Sequence, residues 1–210
     1  METTAHTIRE GEKETGRLEA FSDGVFAIAM TLLALDLQVP RVGAAVTRLS
    51  LSEALLKQWP AYLAFVTSFF TILIMWVNHH TVFRLVRRVN MRIMFANGML
   101  LMMTTAVPFT TAVVATYMQT PAASVACAVY TGTFVLVAFS FNWLWFSITR
   151  SPEVLRSDAS ERTIEKISKN YRVGVPAYLI ATALSFVDAR LSVGLCSALW
   201  IFWSATAREV

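Results

Sequence analysis

Polar and ionisable side chains interrupt three otherwise apolar runs: Ser22-Asp23, then Asn78-His79-His80, then Asn97. Such groups at membrane depth are costly, and they usually mark function. A carboxylate and imidazoles could pass protons, attract a cation, or hold helices together by hydrogen bonds. Adjacent histidines diverge by about 100° on a helix, so His79 and His80 make a poor two-ligand metal site. No cysteine or carboxylate stands at ligand spacing beside them. The expectation is no metal, no cofactor and a hydrogen-bonding role. The chain also lacks Gly-x-Ser-x-Gly, His-Glu-x-x-His and a glycine-rich phosphate loop. It is expected not to be an enzyme.

The elements that carry these residues follow from composition. Of 210 residues, 56% are hydrophobic and only 15% charged, with mean hydropathy +0.54. A soluble domain carries about a quarter charged residues. Six spans of about 20 residues would use about 120 positions, close to the apolar total. The net charge of +4 is small and scattered, which argues against nucleic acid binding. Cys127 and Cys196 both lie in apolar runs and read as buried thiols. The polar, mixed-charge N-terminal segment does not read as a secretory signal.

Six apolar segments can be drawn: 20–39, 59–79, 93–117, 122–149, 173–187 and 191–205. The last two are short for spans and read as a hairpin of short helices, or as segments that fall short of crossing. The expectation is one all-α integral membrane domain over 1–210, with six transmembrane helices. Residues 1–16 form a polar N-terminal segment and 150–172 a cytoplasmic connector with a short surface helix, where Glu165 and Lys169 pair. No inverted repeat between the two halves is evident.

Basic residues set the orientation. With both termini inside, 14 of the 18 lysines and arginines fall in inner segments, leaving Arg41, Arg48, Lys57 and Arg190 outside. This positive-inside bias favours an even number of spans, cytoplasmic termini and a multi-pass protein of the plasma membrane.

In the first span, Ile28, Leu32 and Leu35 fall within about 60° of one another at 100° per residue. Thr31 edges this stripe and Gly24 extends it towards the cytoplasm. Asp23 lies about 140° from Ile28, so it faces neighbouring helices, where it needs polar partners. Asn78, His79, His80 and Asn97 are candidates at similar depth. Two plainer readings remain open. Ser22 and Asp23 could cap a helix at the inner interface, and the stripe could meet lipid or another helix. Asp36 either rings an outer mouth and concentrates cations or is an interfacial residue without a role.

The run Arg17-Leu18-Glu19-Ala20-Phe21-Ser22-Asp23-Gly24-Val25-Phe26-Ala27-Ile28 resembles the Arg-x-x-x-Phe-Ser-Asp signature of the transmembrane protein 175 family. That family comprises the lysosomal potassium channels and their prokaryotic relatives. Thr31 to Leu37, Trp76 with His79-His80, and Asn97 with Pro108-Phe109 are similar to it too. The resemblance is strongest over the first three spans, and the later spans agree in layout.

The resemblance implies a six-helix subunit of the single-repeat prokaryotic kind, assembled as a homotetramer. It implies that the first helix lines a central pore, with Ile28 at the constriction and Thr31, Leu32 and Leu35 deeper. It also implies that Arg17, Phe21, Ser22 and Asp23 hold this helix against its subunit. The expected function is a potassium-permeable, weakly selective cation channel closed by apolar rings, with lipid and monovalent cations as partners. The chain has no Thr-Val-Gly-Tyr-Gly filter, so selectivity would rest on hydration. A proton-coupled transporter using Asp23 and the histidines, or a non-conducting scaffold, are the alternatives.

Overall fold

Long apolar segments become helices because lipid offers no partner to an open backbone amide or carbonyl. The computed structural model describes residues 2–40, 47–151 and 153–208; the side chains of 2–10, 12, 36 and 206–208 lie outside that description. Among the described residues the chain is all-helical. Its helices are α1 (Glu2–Leu32), α2 (Arg48–Lys57), α3 (Trp59–Phe83), α4 (Met91–Tyr117), α5 (Ala123–Thr149), α6 (Glu161–Leu184) and α7 (Ala189–Arg208). A 3-10 turn, Leu33–Asp36, extends α1.

Among the described residues, four segments are long and apolar enough to cross a membrane: Lys13–Leu35, Trp59–Phe83, Met91–Tyr117 and Ala123–Thr149. They fall on the first four expected spans. The fifth and sixth fall on α6 and α7. There the apolar stretch Ala189–Ala205 is shorter, and the N-terminal half of α6 is polar. Within the polar N-terminal segment, residues 2–16 are the start of α1. Residues 161–172, expected as a connector with its own surface helix, are the first turns of α6.

Helix ends follow local chemistry. Asn90 Oδ1 accepts from the Ile93 amide at 3.0 Å and caps α4. Asp188 Oδ1 accepts from the Arg190 and Leu191 amides at 2.7 and 3.1 Å, starting α7. Pro60 sits in the first turn of α3, where no amide is required. Thr47 and Ser50 form a reciprocal capping box on α2. None of the expected spans includes this short helix, and it carries no buried residue.

Helix α5 packs against α4, α6 and α7, while α3 packs against α4 and α7. Helix α1 lies on the α3 and α4 side of this assembly. Cys127 and Cys196 are buried and unpaired as a disulfide. At one end, Arg87 N–H donates to Val154 O at 2.8 Å and Arg156 N–H to Leu85 O at 2.9 Å. This two-bond bridge ties the α3–α4 loop to the α5–α6 loop.

Candidate functional site

Helix α1 has two unlike faces. Ser22, Phe26, Ala29 and Leu33 are fully buried against α3 and α4. Their spacing of four, three and four residues is one helical stripe. The opposite face carries Phe21, Ile28, Leu32 and Leu35, which are 64, 58, 40 and 75% exposed. Gly24 and Thr31 are exposed with them. The Thr31 hydroxyl donates to Ile28 O at 2.8 Å. Its oxygen therefore remains an acceptor on the bare face.

The buried face is held by a directed chain of hydrogen bonds. His79 Nε2 lies 2.8 Å from Asn97 Oδ1. An amide oxygen only accepts, so this nitrogen carries the proton. Asn97 Nδ2 donates to Ser22 Oγ at 2.9 Å, and Ser22 Oγ donates to Leu18 O at 2.8 Å. All three side chains are buried. The His79 ring packs between Phe26 and Phe83, with centroids 5.3 and 4.3 Å away. Three helices thus meet at one amide, that of Asn97.

Asp23 has a different partner from those expected. Trp76 Nε1 donates to Asp23 Oδ1 at 2.8 Å. His80 Nδ1 meets Glu19 Oε1 at 2.8 Å, on the exposed side of the same seam. Asn78 is not part of the network: its amide donates to Ile74 O, and it lines a separate cavity between α3, α5, α6 and α7. The helical wheel explains this division. Trp76, His79, His80 and Phe83 lie at i, i+3, i+4 and i+7, whereas Asn78 lies off that face. Glu19, Ser22, Asp23 and Phe26 form the mating face of α1 by the same rule.

The signature also splits. Ser22 and Asp23 bond to neighbouring helices, but Phe21 and Arg17 are exposed. Phe21 lies about 20° from Ile28 in projection, on the stripe side. Phe21 and Arg17 therefore do not hold α1 to its own subunit, as had been expected of them. Glu19 and Trp76 are the anchoring residues that the sequence reading left out. Asp36 closes the 3-10 turn, and its side chain lies outside the described residues. Among the described residues no three His, Cys, Asp or Glu side chains converge as a metal site.

These features define a multi-pass helical membrane protein with its first helix locked on one face and bare on the other. The family model described as Endosomal/lysosomal potassium channel TMEM175 matches residues 17–108. A potassium channel from Chamaesiphon minutus is 48% identical over 193 residues, covering 92% of this chain and 95% of that one. A potassium channel from Streptomyces collinus is 43% identical, covering 90% of this chain and 91% of that one. The crystal structure of a lysosomal potassium-selective channel TMEM175 homolog from Chamaesiphon minutus superposes with a TM-score of 0.82 at 47% identity. It covers 93% of this chain and 98% of that one. The chain belongs to the TMEM175 potassium-channel family.

Proposed function

We propose that this chain is a potassium-permeable, weakly selective cation channel, assembled as a homotetramer around α1. The observation that carries this reading is the bare stripe of Ile28, Thr31, Leu32 and Leu35 opposite a face locked by buried hydrogen bonds. An apolar stripe on a helix anchored behind is the arrangement a pore lining requires. The relatives described above are potassium channels, which gives the stripe its permeant ion.

Four copies of α1 would place rings of Ile28, Leu32 and Leu35 along one axis. Such rings close a path by excluding water. The Thr31 oxygen offers a polar step between them. Opening requires the four helices to tilt or turn outward by about a side-chain width. Without a carbonyl cage, potassium passes more readily than sodium because the smaller ion holds its water more tightly. Selectivity is accordingly modest. In this reading the subunit spans the plasma membrane six times with both termini cytoplasmic, and α6 and α7 supply the last two crossings. Ser22 and Asp23 hold the pore helix, and Asp36 borders the outer mouth.

The test is conductance of Ile28→Asn and Ile28→Ala in liposome flux and planar bilayers. Larger currents with altered selectivity are expected. Unchanged conductance and selectivity overturn the constriction.

A further inference from the structure

At the bridged end of the molecule, a cavity of about 820 Å³ opens between α1, the end of α3, the α5–α6 loop and the start of α6. Its volume lies in the range of ligand-binding clefts, about 300–1,000 Å³. Three guanidinium groups line it: Arg84, Arg87 and Arg156. They come from separate segments that the Arg87–Val154 and Arg156–Leu85 backbone bonds hold together.

These arginines lack carboxylate partners among the described residues. Of the two carboxylates in the lining, Glu19 is taken by His80, and Asp158 forms no ion pair within 4.0 Å. Arg87 Nη2 donates to the Glu153 carbonyl at 3.3 Å, whereas the guanidinium groups of Arg84 and Arg156 are exposed and donate to no protein group among the described residues. The first turn of α6 opens onto the same cavity at Ser160 and Thr163, and Ser160 gives it no side-chain cap. Free amides of a helix start and guanidinium forks are both anion-binding chemistry.

We infer that this cavity binds a phosphate group through Arg84, Arg156 and the uncapped start of α6, carried by an anionic phospholipid head group or by a soluble phosphate. Its depth fits the first source. Arg84 follows Phe83, where the apolar run of α3 ends, and basic residues at that level attract anionic lipid. The inference is independent of ion conduction, because it concerns binding at the helix ends.

The full-length protein, purified in detergent, is to be examined by native mass spectrometry with dioleoylphosphatidylglycerol or dioleoylphosphatidylcholine. Its melting temperature is also to be read in sodium phosphate against sodium chloride at matched ionic strength. Retention of phosphatidylglycerol over phosphatidylcholine by about tenfold is expected, the range of charge-assisted bonds. Arg84→Gln/Arg156→Gln should abolish it, Arg84→Lys/Arg156→Lys should restore part of it, and Arg190→Gln should leave it intact. A melting shift in phosphate, lost in the Gln variant, without lipid preference assigns the site to a soluble phosphate instead. Neither preference, or a preference that survives the Gln variant, overturns the site. The single Gln variants give the same reading should the double fail to fold.

Discussion

The indole N–H of Trp76 donates to Asp23 Oδ1 at 2.8 Å, one helical turn from where His80 meets Glu19 at the same distance. Each partner steps by four residues, from 19 to 23 on α1 and from 80 back to 76 on α3. Antiparallel helices with matching four-residue steps have one register that satisfies both bonds. This seam sets how far α1 sits along α3, and so the level of Ile28.

Trp76→Phe keeps an aromatic ring, though a smaller one, and removes the donor to Asp23. Leaving a partly buried acceptor unpaired costs about 1–3 kcal/mol. Thermal unfolding in detergent and size-exclusion profiles should show lower stability, with poorer assembly for Asp23→Ala. Selectivity of assembled protein should stay near that of the wild type. A stable Asp23→Ala assembly with changed selectivity would place Asp23 in the ion path instead.

Asn97→Ala orphans two buried groups at once, the His79 Nε2 proton and the Ser22 hydroxyl oxygen. Ser22→Ala leaves only the Asn97 N–H unpaired. At about 1–3 kcal/mol for each buried group, Asn97→Ala should be the more damaging. Equilibrium unfolding in mixed micelles ranks the two, and the reverse order would remove Asn97 from the centre of the network.

Leu32→Ala and Leu35→Ala alter side chains that stand exposed, outside the buried core of the subunit. Exposed replacements usually change stability by less than about 0.5 kcal/mol. Melting of the isolated subunit should hardly move, while flux through reconstituted protein should rise. Loss of stability without a change in flux would make the stripe a packing seam.

Gly174 on α6 faces Trp203 of α7 and Ala138 of α5. A Cβ there would stand 3.2 Å from the Trp203 ring and 3.4 Å from the Ala138 methyl. Small residues let helices approach closely in a membrane. Gly174→Leu should cost about 1–3 kcal/mol through overpacking, read as a lower melting temperature, and Gly174→Ala much less.

Much of the site was legible because a helix projects sequence onto angle. The separation of Asp23 from the Ile28 stripe is arithmetic on residue numbers, and the buried and bare faces of α1 follow it. The same arithmetic puts Phe21 with Ile28 and sets Asn78 apart from His79. Grouping each run by chain proximity hid both facts. The partner of Asp23 was not legible: Trp76, His79 and His80 share one face of α3. Only the register of the two helices gives the carboxylate to the indole.

By itself, the sequence determined that the chain is a helical membrane protein, where its long spans lie, and which α1 residues share a face. Those properties rest on local apolar content and on a fixed angle per residue. The tertiary structure decided what depends on separate segments meeting. Asn97 joins His79 to Ser22, Trp76 takes Asp23, and two loops bridge to gather Arg84, Arg87 and Arg156. Sequence separations of about 20 to 75 residues lie between such partners, and no local periodicity carries across them.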